Sequence, residues 1–420
     1  MIINIKNFGA IGDGKTVNTE IVQSAIDTCA KAGGGKVVIE DGTFVTGTLI
    51  LRDNINLYID VTATLKAATN PEDFPEISDE EASHVDSKKL TRWSNSCFIF
   101  ANECKNISIT GKGCIDCNGS EFVELRDKND KCGLVYKQKR KTNPGRAIFL
   151  TGCENILVED LTFKDAPAGW MFWIHDCDFV HFTKCNIISD VHHPNSDGIH
   201  INCSRNVTVS DCNLICGDDC IIVRANSASL KENKPSEKVT VTNCNLTSYA
   251  SGIRLGWTND GVIKNCTFSN ITMTDTSYGI GISLPAPAIK DGNISSADVG
   301  REATLVENIS FNNIVMDKIT RYPIEIIIAD GQQLVDSIRN IYYSNIHSKS
   351  MLMPQIVGTK EHKIENIRFS DCSFKVYDGR DIENLETHGY GFVKELSEPQ
   401  IKIKHAKNVV INNTSFDVEI

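Results

Sequence analysis

Asn206-Val-Thr-Val209 is followed by a polar turn and a second short run, Cys212-Asn-Leu-Ile215. An asparagine leads an apolar-polar-apolar triplet, the period of a strand with one buried face. A strand this short cannot stand alone, so its meaning comes from recurrence. The pattern returns at Asn106-Ile-Ser-Ile, Asn155-Ile-Leu-Val, Asn308-Ile-Ser-Phe, Asn340-Ile-Tyr-Tyr, Asn366-Ile-Arg-Phe and Asn408-Val-Val-Ile. Further second runs stand at Cys244-Asn-Leu-Thr and Cys266-Thr-Phe-Ser. Intervals of about 22 to 32 residues, sometimes doubled, fit a coil that returns to the same wall once per turn. The fold class is therefore read as all-β, a single-stranded right-handed parallel β-helix, with residues 1–420 forming one domain. Asparagine suits the corners because it tolerates left-handed backbone, and stacked asparagine amides can bond as a ladder. The many Asn-x-Ser/Thr triplets are read in this structural sense rather than as glycosylation sites.

The open ends of such a coil expose unpaired strand edges and need caps. Thr19 opens an amphipathic run with Ile21, Val22, Ala25, Ile26 and Cys29 on one face, and Gly33-Gly34-Gly35 ends it. Residues 1–45 are accordingly read as an N-terminal cap and first coil, with a short capping helix. Residues 71–93 and 121–146 lack the repeat and are read as long excursions, which on a solenoid build the binding face.

The chain has 420 residues, 41% hydrophobic and 23% charged, enough to bury a large core. No stretch approaches the roughly 20 apolar residues that span a bilayer. A net charge of −11 argues against a nucleic-acid backbone as partner, so neither nucleic acid nor membrane is expected. The 16 cysteines are read as reduced, buried thiols; Cys114-Ile-Asp-Cys117 is a lone CxxC, and no metal or cofactor is expected. Met1-Ile-Ile-Asn-Ile-Lys runs directly into patterned sequence without an export signal, so the expected location is the cytoplasm.

Residues one coil apart lie about 4.8 Å apart on one wall, so the coils can be stacked by their inward apolar pairs. Matching Phe172/Ile174, Ile199/Ile201, Ile221/Val223, Ile253/Leu255, Ile280/Ile282 and Ile324/Ile326 gives an outward column Trp173, His200, Ile222, Arg254, Gly281 and Glu325. The column two residues before each first apolar position reads Trp170, Asp197, Asp219, Ser251, Tyr278 and Tyr322, with Asp218 beside Asp219. Aromatic rings stack on pyranose faces and carboxylates serve bond cleavage, so this exterior face is read as a sugar-binding cleft. Three carboxylates on adjacent rungs repel one another, which calls for a chemical reason. Trp170 and Trp173 are read as sugar platforms, with packing under a loop as the alternative. Lys137-Gln-Lys-Arg-Lys141 with Arg146 is the one basic concentration, able to attract an anionic oligosaccharide or simply solvated.

Asn195-Ser-Asp197-Gly followed by Cys216-Gly-Asp218-Asp219-Cys resembles the paired Asn-Thr-Asp and Gly-Asp-Asp motifs of glycoside hydrolase family 28, the polygalacturonase family. Phe8-Gly-Ala-Ile-Gly-Asp-Gly-Lys-Thr, Gly33-Gly-Gly-Lys-Val-Val and Gly47-Thr-Leu-Ile-Leu are similar to its N-terminal region. The resemblance implies hydrolysis with inversion, Asp218 as the general acid, and Asp197 with Asp219 holding the water. It also implies two departures. The family's Gly-His-Gly falls on Ala250-Ser251-Gly252, and its carboxylate-gripping Arg-Ile-Lys falls on Gly281-Ile282-Ser283. Arg254, one rung from Gly281, is expected to compensate by reaching across, or to pair with Glu325 or an Asp on the wall. His200 is placed to contact sugar or tune an Asp, a surface histidine being the alternative, and Arg224 to neutralise part of the carboxylate cluster. With Asn195, Trp170, Trp173, Tyr278 and Glu325 these complete the expected substrate-binding set. The expected activity is a glycoside hydrolase cleaving short pectin-derived or related oligosaccharides, exo-acting if the long excursions close one end of the cleft. Two alternatives stay open: a polysaccharide lyase with a Ca²⁺ site and Arg254 as base, or a non-catalytic carbohydrate-binding β-helix.

Overall fold

Val207 and Val209 point inward from Arg205–Ser210, and the next coil places Val239 and Val241 directly beside them in parallel register. Leu214 likewise meets Leu246. This stacking of like on like repeats along the chain, because each triplet is too short to bury itself and gains its partners only from the coils on either side. The computed structural model describes residues 1–90, 95–126, 135–139, 144–287, 301–331, 334–380, 393 and 395–418, with the backbone alone at 289–290 and 293–294. Among these residues an 11-stranded parallel sheet runs from Leu49–Ile50 to Lys402–Lys404, and a 22-stranded sheet forms the remaining walls. The chain is thus a parallel β-helix, as its repeats imply. One apolar core extends inside it from Ile3 to Val376. Phe268, Phe311, Tyr343 and Phe369 form a stacked column within it, with centroids 4.9, 5.0 and 4.9 Å apart. Among the described residues every cysteine is a free thiol, all buried except half-buried Cys114, and no helix is long and apolar enough to cross a membrane.

The corners explain the asparagines. Asn54, Asn106 and Asn155 all have φ near +60°, and their amides bond from coil to coil at 2.8 and 2.7 Å. A second length of the ladder joins Asn265, Asn308, Asn340, Asn366 and Asn408 at 3.0–3.2 Å. Asn206 holds the same left-handed corner, but its neighbours Phe179 and Lys238 do so without an amide, and the ladder is interrupted there. At the N-terminus the helix Thr19–Lys31 lays Val22, Ala25, Ile26 and Cys29 on the first coil. It ends where Gly34 takes φ +104° against Asn54; a Cβ there would lie 2.4 Å from the Asn54 side chain.

The 71–93 excursion does more than rim the cleft. Its residues Ile77, Ala82, Val85 and Leu90 form a second apolar cluster with Phe100, Phe149 and Trp173 from the outside of the 11-stranded sheet, joined by Leu230. Part of that face is therefore covered, not solvated, because these outward side chains are apolar and the excursion supplies the matching surface. Residues 91–93 lie outside the described set, as do 127–134 and 140–143 of the other excursion. The described part of the latter includes an antiparallel pair, Val123–Leu125 with Tyr136–Gln138. His84 fastens the first excursion: Nε2 lies 2.5 Å from Asp176 Oδ2, Nδ1 lies 3.5 Å from Glu103, and Lys234 also pairs with Asp176. The Asp176 bond raises the His84 pKa against the opposing effect of burial. A folded value above the unfolded one, about 6.5, means the clamp contributes fully below that pH and is lost as pH rises through the folded value. Hydrogen-exchange protection at residues 78–90, taken against the intrinsic exchange rate at each pH, is expected to be high at pH 6 and lower at pH 9, with the step absent in His84→Gln. An equal step in the variant would contradict this.

Candidate active site

Two turns, one coil apart, are stapled together where the acidic motifs lie. Asn195 takes φ +54°, turning the chain, and Ser196 Oγ donates to His193 O at 2.9 Å while accepting the Gly217 N–H at 3.0 Å. Gly198 N–H bonds Asp219 O at 2.9 Å, and Ser248 Oγ on the following coil donates to Asp218 O at 2.6 Å. The wall keeps the order Trp173, His200, Ile222, Arg254, Gly281, Glu325 residue for residue in its parallel pairings. The structure brings Asp197, Asp218 and Asp219 together: all three are buried, with carboxylate oxygens within 4.8 Å of one another.

Their surroundings differ. Asp218 Oδ1 accepts the Asp219 N–H at 2.9 Å, and Asn195 Nδ2 stands 3.5 Å from Oδ2. Asp219 Oδ1 accepts the Ser251 N–H at 2.9 Å, and Arg254 lies 3.5 Å from its Oδ2. Asp197 has no such donors: Oδ1 has no hydrogen-bond partner among the described residues, and Oδ2 is 3.8 Å from His200 Nδ1. Burial, and then the charges of Asp218 and Asp219, push the Asp197 pKa well above the usual carboxylate range. Asp197 in this arrangement resists ionisation, whereas the resemblance puts the acid on Asp218. Burial, followed by the nearby Arg224 and Arg146, holds His200 well below its ordinary value, so its imidazole is neutral. Such a cluster can share one proton among three carboxyls, and its oxygens are close enough to share one cation.

Several expected roles change. Trp170 is half-exposed, its ring 3.9 Å from that of His200, and remains available as a platform. Trp173 is buried beside Phe149 at 4.5 Å and His175 at 4.9 Å, so it belongs to the second core rather than to sugar stacking. Arg146 is not part of a surface patch. It begins a wall strand, is 1% exposed, and packs 4.0 Å from the Trp173 ring and 4.8 Å from Trp170; burial lowers its pKa to about 9. Of the basic loop, Lys137 pairs with Glu124, and Arg140 and Lys141 lie outside the described residues.

Arg224 does not neutralise the carboxylates. Its guanidinium forks onto fully buried Asp260, with NH2 at 2.6 Å and Nε at 2.9 Å. Removing it strands a buried carboxylate, so Arg224→Ala is expected to cost about 3–5 kcal/mol in denaturant unfolding. A loss below about 1 kcal/mol would show the pair to be superficial.

Arg254 does reach the carboxylates and stacks 4.0 Å from the Trp257 ring. Gly281 beside it leaves open space, the nearest atom to an added Cβ being Ile253 O at 3.9 Å. Tyr278 stacks with Tyr322 at 6.2 Å, and Glu325 accepts from Gln355 at 2.6 Å. Sequence reasoning missed Gln355 and Trp257. The first could have been found by extending the outward column one coil; the second sits on a turn outside both columns and gave no periodic signal.

A buried three-carboxylate cluster on adjacent coils, lined with arginine and aromatic rings, suits glycoside chemistry. The family model for glycosyl hydrolases family 28 matches residues 29–409. The chain belongs to glycosyl hydrolases family 28. Among similar family members, a probable polygalacturonase of Vitis vinifera is 24% identical over 66% of this chain and 56% of its own length. An exo-poly-alpha-D-galacturonosidase of Dickeya chrysanthemi is 25% identical over 73% of this chain and 56% of its own. The chain thus spans little more than half the length of these curated relatives. In fold it is similar to an exopolygalacturonase from Thermotoga maritima, with a TM-score of 0.73, 21% identity, and coverage of 99% of this chain and 93% of that one.

Proposed function

We propose that this family 28 protein hydrolyses a glycosidic bond in short pectin-derived or related oligosaccharides, inverting the anomeric carbon and acting from one chain end. The observation that carries the reading is the convergence of Asp197, Asp218 and Asp219, all buried, within 4.8 Å, with the Asp197 pKa raised by burial and by its two neighbours. One carboxyl supplies a proton to the leaving oxygen while ionised neighbours hold the attacking water. Exo action is supported by the second core, in which the first excursion covers the outward side chains Phe100, Phe149 and Trp173 of the wall. The buried free thiols suit a reducing compartment, where imported oligosaccharides rather than polymer would be met.

A panel of synthetic glycosides and pectin-derived oligosaccharides tests this. Expected are turnover unaffected by a chelator, monosaccharide or disaccharide released first, and a single anomer in the initial proton NMR spectrum. Calcium dependence with ultraviolet-absorbing unsaturated products would select the lyase instead. Binding without turnover would select a non-catalytic role.

A further inference from the structure

Past Arg254 the outward column of the cleft wall continues as Gly281, Glu325, Gln355 and Lys402, each beside the next in the register. The missing side chain at Gly281 makes a notch one rung wide between a guanidinium and a carboxyl group. Arg254, on the near side, already faces Asp219 and the Trp257 ring. On the far side Glu325 is fixed by a relay: Lys402 Nζ donates to Gln355 Oε1 at 3.4 Å, and Gln355 Nε2 donates to Glu325 Oε1 at 2.6 Å. The lysine orients the amide so that Gln355 can give Glu325 a hydrogen bond but not accept one from it. Glu325 is left with Oε2 as an acceptor.

A sugar hydroxyl in the notch can donate to that oxygen. A uronate carboxylate brings another acceptor and another negative charge, and two carboxylates so close must share a proton to coexist. The groups that act on Glu325 are the cations Arg254, Arg321 and Lys402, the rings of Tyr278 and Tyr322, and the Gln355 amide. Burial raises its pKa, while the Gln355 bond and the three cations oppose the rise.

We propose that Glu325 sets the charge specificity of the subsite over Gly281, which takes a neutral, hydroxyl-bearing sugar residue and admits a uronate only when the two carboxyls share a proton. The proposal rests on the cleft being a glycoside site, and its test reads binding so that it fails separately from hydrolysis. The probes are α-1,4-galactobiose and digalacturonate, which differ in hydroxymethyl against carboxylate. Calorimetry uses Asp218→Asn protein at pH 5 and pH 8, with and without Glu325→Gln. Digalacturonate affinity is expected to fall about 10-fold between the two pH values while galactobiose changes less than about 2-fold. Glu325→Gln, which keeps the size of the side chain, is expected to restore about 10-fold of the digalacturonate affinity at pH 8 and to weaken galactobiose, which loses its charged acceptor. A digalacturonate affinity that is flat with pH, an equal shift for both sugars in the variant, or binding of neither sugar would overturn the proposal. Because Asp197 also resists ionisation in this cleft, the fall with pH is assigned to Glu325 by its loss in Glu325→Gln or, should that variant not fold, in Glu325→Ser, and a fall that persists in the variant would overturn the proposal.

Discussion

Asp218→Asn should lose about 10²–10⁴-fold in turnover of an alkyl glycoside or natural oligosaccharide, but far less on a nitrophenyl glycoside, whose phenolate departs without a proton. Asp197→Asn and Asp219→Asn should lose activity on both alike, because holding the water is needed whatever the leaving group. This comparison separates two assignments that the site itself sets against each other. Asp218 stands first by motif, yet Asp197 is the carboxyl that burial and two neighbouring charges hold back from ionising. The two can be reconciled because interacting carboxyls titrate as a unit, and a bound sugar oxygen can draw the shared proton to Asp218. If Asp197→Asn is the variant rescued by the good leaving group, Asp197 is the acid and the motif-based assignment falls.

The second large effect is expected at a residue with no side chain. Gly198 follows Asp197 and packs against the coil that carries Asp219: an added Cβ would lie 2.4 Å from Cys220 O and 2.8 Å from Leu214 Cδ2. The backbone oxygen cannot swing aside as a side chain could, so Gly198→Ala must push the two rungs apart. Overpacking of this kind costs about 1–3 kcal/mol or more. Displacing reacting groups by about 1 Å costs about 10²-fold in rate. Stability from denaturant unfolding and kcat/KM on the same preparation should therefore fall together. Unchanged kinetics with lost stability would mean that the carboxylates do not depend on the spacing of these rungs.

The repeats were readable because a stacked coil must place like residues at like positions. Asn106, Asn155 and Asn308 marked the corners, and the pairs around His200, Arg254 and Glu325 fixed the register without any knowledge of distance. Within one wall, register predicts neighbours. It does not predict what lies over the wall. Trp173 looked available because it points outward, and only the packing of Ile77, Ala82, Val85 and Leu90 shows it buried. Arg224 misled for a related reason: its partner Asp260 comes from a loop that the column alignment does not contain. Arg146 adjoined a basic run in sequence but begins a strand, where alternation and the Trp170–Trp173 pair draw it under cover. What local periodicity encodes was legible; what tertiary excursions cover or supply was not.

Carbon-13 NMR titration of the Asp197 carboxyl, assigned by difference from Asp197→Asn, reads whether the three carboxylates act as one cluster. The midpoint is expected well above the ordinary value of about 3.9, with a clear fall toward it when Asp219→Asn removes a neighbouring charge. An ordinary midpoint that ignores the substitution would contradict the cluster and the chemistry built on it.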